Sequence, residues 1–345
     1  MEEVDISVIV PTRNRAAWLP TCLAHMEQQS FPAGRFEVLV VDDGGTDDTL
    51  SVVDRYAHGS PICIRIHRQP HSGLAAARNL GAEKAIGNHL LFLCDDELAS
   101  PRLVEQHHGA HAQSDGRLCV MGTLRRHPQL PRDTFTRQFL DEPSNWESYS
   151  DTPHFLDWQR SNFSLSREAF QSLGGFSTEQ SLYAVNIWEL AYRMERAGLQ
   201  PRQLNDARCY IWQPTTFAAE RFRQYHLGFG LFQLQRSTRA ALIPERFRLR
   251  RTGFQQLVHT LTIPFYIRAC NREEEEASML ISSLYKRVLY YDRAVGYQDA
   301  LSGRTPRWWG RLLGPARAQT LPSSLGKSKL RLEFVERICH TERAG

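Results

Sequence analysis

Paired cysteines are missing from the 345-residue sequence. Its seven cysteines are scattered along the chain and form no Cys-x-x-Cys pair. This spacing excludes a structural zinc site of the usual kind and a disulfide framework, so the sequence predicts a protein of a reducing compartment. We expect a cytoplasmic location, either free or in peripheral contact with the inner face of the membrane.

Long apolar runs and a glycine-rich first turn are missing as well. No uncharged apolar stretch approaches the roughly 18 residues that a membrane-spanning helix needs, so none is predicted. The acidic N-terminal start lacks the basic flank of a secretion signal, and we expect no such signal. The first strand-like run, ISVIV, is followed by PTRNR, which disfavours a dinucleotide-dependent oxidoreductase because that class needs a glycine-rich turn there.

The charge is divided unevenly along the chain. Charged residues make up 23% and hydrophobic residues 41% of the sequence, which is typical of a globular protein and excludes a disordered one. The net charge of +4 conceals a split, since residues 1–215 carry 20 basic and 27 acidic side chains, whereas residues 216–345 carry 22 and 11. We therefore predict two parts, a catalytic domain over 1–215 and a basic, mainly helical extension over 216–345.

Apolar β-branched runs alternate with amphipathic segments through the first part. This pattern predicts an α/β fold with a mostly parallel central sheet flanked by helices. The predicted strands are 6–10, 36–41, 62–66, 89–94, 118–124, 162–166 and 208–212. The predicted helices are 16–29, 46–56 capped by Thr46, 73–86, one capped by Ser100, 167–173, 187–197, 216–240, 253–270 and 274–295.

Acidic side chains follow two of the predicted strands. Asp42 and Asp43 come after the second strand, and Asp95, Asp96 and Glu97 come after the fourth. Ligands of open parallel sheets bind outside the carboxyl ends of the strands, so both clusters are expected near one crevice. On extended chain Asp95 and Glu97 project to the same side and can hold Mn2+ or Mg2+ by oxygen. The alternative is a solvated acidic turn.

Five segments, in this order, resemble the family 2 glycosyltransferases. They are ISVIVPTRNR (6–15), VLVVDDGGTDDT (38–49), GLAAARNLGAEKAIGNHLLFLCDDE (73–97), NFSLSREAFQSLGGF (162–176) and WELAYRMERAG (188–198). The resemblance covers about residues 4–215. It implies a GT-A fold, a nucleotide-diphosphate sugar donor such as a UDP-sugar, a divalent metal, and transfer with inversion to a hydroxyl acceptor in polysaccharide or glycoconjugate biosynthesis.

The resemblance also implies which residues form the donor site. Its nucleoside pocket falls on Pro11, Thr12, Asn14, Asp42, Asp43 and Arg78. Its metal and diphosphate motif falls on Asp95, Asp96 and Glu97, where glutamate replaces the more usual aspartate. Two of these residues have structural alternatives: Arg78 can pair with Glu83 or with a strand-end acid, and Asn14 can cap the following helix.

The usual acidic pair of the catalytic base is absent. Relatives carry Glu-Asp at the start of the helix after the GGF turn, and here the register reads Asn186-Ile187, followed by Trp188 and Glu189. Three accounts stay open: Glu189 is the base, a carboxylate or histidine from elsewhere replaces it, or the chain is a weak or silent nucleotide-sugar binder. Glu189 can also be a structural partner of Arg193 at i,i+4.

Three other side chains have sequence positions of interest. His107 and His111 have the i,i+4 spacing of a metal pair, but no carboxylate completes a metalloprotease pattern and the segment is predicted to be a helix surface, so we set a metal site there aside. His226 lies where relatives have helices close to the donor phosphates and is a weak candidate, as is Trp188 beside Glu189.

The basic extension has several possible roles. Residues 305–318 mix arginine with tryptophan and leucine, which favours contact with a membrane surface, or packing of the tryptophans against the catalytic domain. Nucleic-acid binding is not expected, because no recognition motif accompanies the charge. The aliphatic and tyrosine face after the acidic residues 273–276 is core or a homodimer contact. The acceptor, a sugar, lipid-linked or other hydroxyl, is expected to bind loops around 125–160 and the extension.

Overall fold

The computed structural model describes residues 3–114, 116–133, 135–137, 154–158, 160–179, 185–247, 249, 262–263, 265–267 and 279–304. The described residues belong to one compact unit within Met1–Thr305. The predicted membrane-contact segment 305–318, the acidic residues 273–276 and most of the predicted helix 253–270 lie outside the described residues. The division of the chain at residue 215 stays a prediction.

The described part of the chain contains eight strands and a series of α-helices. The strands are β1 (Ile6–Thr12), β2 (Phe36–Asp43), β3 (Cys63–Gln69), β4 (His89–Phe92), β5 (Glu97–Ala99), β6 (Leu118–Arg126), β7 (Phe163–Ser166) and β8 (Gln200–Ile211). The helices are α1 (Leu19–Glu27), α2 (Thr49–His58), α3 (Leu74–Lys84), α4 (Leu103–Ala112), α5 (Arg167–Ser172), α6 (Asn186–Arg196), α7 (Phe217–Thr238), α8 (Ile243–Arg246) and α9 (Met279–Leu301). Short 3-10 helices cover Ala33–Arg35 and Phe155–Asp157.

All eight strands belong to one mixed sheet, in the order β3-β2-β1-β4-β7-β6-β8-β5. The first four strands are parallel, whereas β7 runs antiparallel to both β4 and β6. The expected α/β fold is confirmed, with a sheet that is parallel only through this first part and where β6 meets β8. Because β7 is antiparallel to β4, the chain that enters β7 lies beside the chain that leaves β4.

The central strands of the sheet are buried on both faces. Ile9, Leu39 and Phe92 belong to one apolar cluster, and their strand neighbours Val8 and Leu91 belong to the other. Alternate residues of one strand point to opposite faces, so a strand buried on both sides is expected to be mostly apolar. This explains the continuous apolar runs in the sequence. None of the described helices is long and apolar enough to cross a membrane.

Two predicted helix caps are wrong. Helix α2 begins at Thr49, with Asp48 rather than Thr46 in the N-cap position, and the Thr46 N–H donates instead to Asn14 Oδ1 (2.6 Å). Helix α4 begins at Leu103, because Ser100 still follows the sheet edge, where its N–H donates to the carbonyl oxygen of Arg208 (2.9 Å). Long-range backbone pairing outweighs the local capping preference there.

Two strands differ from the prediction. Strand β5, which begins at Glu97, was not predicted, and β8 starts eight residues before the predicted strand 208–212. The polar residues of β8 hid its first half from the apolar pattern, since this edge of the sheet is partly exposed. Both strands pair with each other, Glu97 opposite Ile211.

The described C-terminal helices pack within this compact unit. Helices α7 and α9 cross so closely that a Cβ on Gly228 would lie 1.8 Å from the carbonyl oxygen of Arg293. A buried ion pair, Arg221 Nε to Asp292 Oδ2 at 2.8 Å, joins the same two helices. These helices confirm the predicted 216–240 segment and the described part of the predicted 274–295 segment.

Candidate functional site

The ends of three neighbouring parallel strands, β2, β1 and β4, form the centre of the candidate site. Thr12 is the last residue of β1, and its hydroxyl donates to Asp95 Oδ2 (2.8 Å), beyond the end of β4. The backbone of Thr12 is in register with Asp42 on β2. The structure therefore brings together the two acidic strand ends that the sequence predicted to be close.

Asp42 is buried at the end of β2. Its Oδ1 accepts from the Gly45 N–H (3.0 Å), and its Oδ2 lies 3.4 Å from Arg68 Nε. Beside it, Asn14 follows β1 in the left-handed conformation (φ 56°) and accepts from the Thr46 N–H through its side chain. The Asn14 side chain thus joins the loops after β1 and β2, and in this structure it does not cap helix α1, which begins at Leu19.

Asp43 is saturated with hydrogen bonds from a single loop. Its Oδ1 accepts from Gln69 Nε2 (2.8 Å) and the Ser72 N–H (2.7 Å), and its Oδ2 from His71 Nδ1 (2.7 Å) and the Gly73 N–H (2.9 Å). Partial burial would raise the pKa of Asp43, but these four donors together lower it. The carboxylate therefore organises residues 69–73 ahead of helix α3.

The acidic triplet after β4 does not continue as extended chain. Asp95 and Asp96 form a turn, and Glu97 then begins β5. Asp95 lies beside Thr12 and Arg15, whose Nε is 3.7 Å from Asp95 Oδ2. The expectation that Asp95 and Glu97 project to one side assumed extended geometry, which the turn removes. Burial, and then the charge of Asp96, raises the pKa of Asp95 to about 6.

Glu97 is fully buried and held by three groups. Its Oε2 accepts from the Cys94 N–H (3.0 Å), and its Oε1 accepts from the Ser161 hydroxyl and lies 3.6 Å from Arg160 Nε. Burial raises the pKa of this carboxyl group. Glu97 is therefore tied to the segment that enters β7.

Arg160 was missed in the sequence analysis. Its Nη2 lies 3.2 Å and 3.1 Å from the two oxygens of Asp96, and its Nε lies 3.6 Å from Glu97. Burial alone would lower the pKa of Arg160, but the neighbouring acids, Asp96 foremost, raise it. No sequence pattern marks it, because its place depends on the pairing of β7 with β4. Phe163 lies opposite Phe92, and extending that antiparallel register by three residues puts Arg160 level with Asp95.

Three side chains meet the donor type and spacing of a divalent-cation site. Ligand atoms of Cys94, Asp96 and Glu97 lie within 4.8 Å of one another. Carboxylate oxygens suit Mn2+ or Mg2+, whereas the thiol is a poor ligand here because burial raises the pKa of Cys94 to about 12. The carboxylates fit a cation, and in this structure the Arg160 guanidinium already lies against both of them.

Arg78 lies in the interior beneath this cluster. Its side chain is fully buried, its Nη2 donates to the carbonyl oxygen of Arg160 (2.6 Å), and its guanidinium lies over the Phe176 ring at 5.2 Å. Glu83, the alternative partner considered for it, pairs with Lys84 instead. The Nε of Arg78 has no hydrogen-bond partner among the described residues.

Glu189 forms the i,i+4 pair that its structural interpretation predicted. Arg193 Nε and Nη2 contact its two oxygens at 2.8 Å and 2.7 Å. Arg193 also donates to the carbonyl oxygens of Leu173 and Gly175, after helix α5. Ile187, which replaces an acid of the family pattern, is buried in the apolar core. Glu189 is thus held at the start of α6 by a clamped arginine.

The weak candidates lie on helices. Trp188 packs on Phe247 (5.2 Å) and donates from Nε1 to the carbonyl oxygen of Trp158 (2.8 Å). The His226 ring packs at a tilt against Phe222 in α7, with ring centroids 4.3 Å apart, and burial lowers the pKa of His226. Neither set of contacts involves the strand-end carboxylates.

His107 and His111 do converge, but on a hydroxyl group. His107 Nδ1 and His111 Nε2 each lie 2.7 Å from Ser164 Oγ. His107 Nε2 is also 3.1 Å from Asn162 Oδ1. Both histidines are buried, so the pair belongs to a polar network inside the fold and is not on the helix surface that the sequence predicted.

The sequence matches the family model "Glycosyl transferase family 2" over residues 7–178. It is 31% identical over 221 residues to validoxylamine A glucosyltransferase of Streptomyces hygroscopicus subsp. jinggangensis, covering 56% of this chain and 52% of that protein. It is 42% identical over 93 residues to a PGL/p-HBAD biosynthesis glycosyltransferase of Mycobacterium tuberculosis, covering 27% of this chain and 36% of that one. The matched part of the chain thus spans about half of the first relative's length and about a third of the second's.

The fold is similar to that of a solved glycosyltransferase. A mannosyltransferase of Pyrobaculum calidifontis, in complex with GDP-Man and Mn2+, superposes with a TM-score of 0.61 at 18% identity, over 87% of this chain and 88% of that one. This similarity confirms the GT-A type of fold. Because residues 7–178 match the family model and carry the strand-end motifs described above, the chain belongs to glycosyl transferase family 2.

Proposed function

We propose that the chain transfers a sugar from a nucleotide-diphosphate sugar, with a UDP-sugar as the expected donor, to a hydroxyl acceptor with inversion at the anomeric carbon. The observation that carries this proposal is the hydrogen bond from Thr12 to Asp95 at 2.8 Å. It joins the nucleoside side of the family motif to its diphosphate side at the carboxyl ends of adjacent parallel strands, which is where α/β sheets bind ligands.

The nucleoside is proposed to bind at the ends of β1 and β2. Asp42 can accept from a base N–H or a ribose hydroxyl, and Pro11, Thr12 and Asn14 form the adjoining wall. Asp43 acts on this pocket through the loop 69–73, because its two oxygens already accept four hydrogen bonds. Arg78 acts through Arg160, whose backbone it holds.

The diphosphate is proposed to bind next to the acidic triplet. A Mn2+ or Mg2+ ion held by Asp96 and Glu97 would neutralise the charge that develops on the leaving diphosphate. From the chain itself, the guanidinium groups of Arg15 and Arg160 lie beside the same carboxylates and offset their mutual repulsion. This permits three acids to be adjacent at an anion-binding site.

An inverting transfer needs one proton acceptor. As the acceptor oxygen forms its bond to the anomeric carbon, its proton passes to the base, and the nucleoside diphosphate leaves with the electrons of the broken bond. We propose Glu189 for this role, because it is the acid that remains at the start of the helix where the family carries its base. To accept the proton, its carboxylate has to break the ion pair with Arg193. That bidentate pair is the observation that favours a second candidate function, a nucleotide-sugar binder with weak or no turnover.

Donor hydrolysis tests the proposal without a known acceptor. The protein is incubated with UDP- and GDP-sugars and Mn2+, and released nucleoside diphosphate is followed by chromatography. We expect slow release with at least one donor and loss of release in Asp42→Ala. Asp206→Asn, which changes an exposed acid far along β8, should hydrolyse as the wild type does. If a nucleotide sugar binds but no nucleoside diphosphate is released, the result supports the silent binder. If no nucleotide sugar binds and none is hydrolysed, the result contradicts both functions.

A further inference from the structure

The charge balance around the acidic triplet depends on one arginine. Asp96 and Glu97 are almost fully buried, with 4% and 1% of their surfaces exposed. Burying two adjacent carboxylates without compensation is costly, since each loses hydration and each repels the other. Arg160 contacts both oxygens of Asp96 and approaches Glu97, so its single positive charge is shared between them.

The position of Arg160 is fixed by the fold. Its carbonyl oxygen accepts from the buried Arg78, the next residue, Ser161, donates to Glu97, and the Asn162 N–H donates to the carbonyl oxygen of Phe92 at 2.7 Å. The backbone of this segment is therefore held on both sides. The Arg160 side chain, in contrast, is about half exposed, so the guanidinium can leave the carboxylates without any change in the backbone.

The carboxylates that Arg160 contacts are those that meet the spacing of a cation site. Asp96 and Glu97 supply the two oxygen ligands of the cluster whose atoms lie within 4.8 Å. A guanidinium and a divalent cation cannot both neutralise these two carboxylates at the same place, because like charges at short range repel.

We propose that Arg160 and a divalent cation bind Asp96 and Glu97 in competition. Arg160 is the internal counter-ion of the metal-free site, and it lowers the affinity of the site for Mn2+ or Mg2+. The inference rests on the proposed function only in assigning the cation to the donor complex. The competition itself is a property of these three side chains.

Manganese binding without nucleotide tests the competition. Free Mn2+ is measured by electron paramagnetic resonance during titration of the wild type, Arg160→Met and Arg208→Met. Methionine keeps most of the apolar stem and removes the charge. We expect Mn2+ to bind about tenfold more tightly to Arg160→Met. Arg208 pairs with the exposed Asp206, so its variant should bind Mn2+ as the wild type does.

The outcome that overturns the proposal is an Arg160→Met affinity equal to or weaker than that of the wild type. Circular dichroism shows whether each variant is folded. If Arg160→Met does not fold, Arg160→Lys takes its place: lysine keeps the charge but loses the fork geometry. We then expect binding about threefold tighter than wild type, and an unchanged or weaker affinity contradicts the competition.

A second titration with UDP or GDP separates this inference from the proposed function. If no variant binds nucleotide while Arg160→Met still binds Mn2+ more tightly, the competition holds and the transferase proposal fails. If nucleotide binds and the Mn2+ affinities are equal, the transferase proposal stands and the competition fails.

Discussion

Arg78 donates from Nη2 to the carbonyl oxygen of Arg160 at 2.6 Å, so one arginine fixes the backbone from which another reaches the acidic triplet. The first of the pair is fully buried and the second is about half exposed. The AAARN motif of helix α3 is thereby linked to the segment that enters β7, 82 residues later in the sequence. Its arginine thus acts at a distance from the acids that it helps to neutralise.

Replacing Arg78 should therefore affect both stability and cation binding. Arg78→Met keeps much of the volume but leaves the Arg160 carbonyl without its donor, which we expect to cost about 1–3 kcal/mol of unfolding free energy in urea. The Mn2+ affinity of Arg78→Met should rise, as in Arg160→Met, because Arg160 is then held less firmly against Asp96 and Glu97. Arg55→Met on the exposed side of α2 is the control, with a change below about 0.5 kcal/mol. Unfolding of Arg78→Met at the wild-type urea concentration would show that the contact is unimportant.

The two aspartates that end β2 should separate into a binding and a structural role. Asp43→Asn places an amide group where four donors converge, so we expect a loss of about 2–3 kcal/mol of stability and faster proteolysis within 69–73. Asp42→Asn should lose less stability, because among the described residues Gly45 and Arg68 alone contact that carboxylate, but it should weaken nucleotide binding about tenfold or more. Urea unfolding and calorimetric titration with UDP and GDP measure the two effects. Equal losses of stability in both variants would contradict this division.

Glu189 is the proposed base, and Gln is the smallest change that removes its proton acceptor. We expect Glu189→Gln to lower donor turnover about 100-fold or more while nucleotide affinity stays near that of the wild type. Arg193→Met is the matched variant, since it breaks the same ion pair but leaves the carboxylate. It should lose stability through its contacts with Leu173 and Gly175, yet retain turnover. Near-normal turnover in Glu189→Gln would exclude this residue as the base and favour a base from another segment.

The sequence was sufficient to locate the acidic strand ends but not their partners. The run HLLFLC could only be core, so Asp95, Asp96 and Glu97 had to emerge at a fixed place, and the register of β1 with β2 and β4 brings them to Thr12 and Asp42. Arg160 lies in a segment without periodicity, and its place depends on the antiparallel return of β7, which apolar patterns do not reveal.

Local rules failed where long-range pairing prevailed. Ser100 and Thr46 have the residue type of helix caps, yet the backbone of each is hydrogen-bonded to a distant segment. The i,i+4 spacing of His107 and His111 does not show which face of helix α4 is covered by β7, so the sequence predicts a surface position for two histidines that are buried. Capping and spacing describe only a few neighbouring residues, whereas these positions are determined by segments that lie more than 30 residues away in the sequence.

The buried histidines should make the protein sensitive to mild acid. Burial lowers the pKa of His107 from 6.5 to about 4 and that of His111 to about 2. The unfolded chain then takes up protons below pH 6.5 while the folded chain does not, so stability is complete above pH 6.5 and falls as the pH decreases towards 4. Each histidine contributes a slope of about 1.4 kcal/mol per pH unit in that window.

Urea unfolding between pH 7 and pH 5 measures this slope. His107 and His111 together should cost the wild type about 4 kcal/mol between pH 6.5 and pH 5, and His107→Gln should lose about 2 kcal/mol less than the wild type over that interval, whatever its stability at pH 7. The exposed His58 is the control position, and His58→Gln should keep the wild-type slope. Equal slopes in all three proteins would mean that these histidines are protonated in the folded state.

Equilibrium binding of nucleotide-diphosphate sugars tests the central claim most directly, because binding needs neither an acceptor nor an intact base. Calorimetric titration with UDP- and GDP-sugars, with and without Mn2+, should detect at least one donor that binds the wild type and fails to bind Asp42→Ala. Binding of NAD in place of every nucleotide sugar, or equal donor binding by the wild type and Asp42→Ala, would contradict the account.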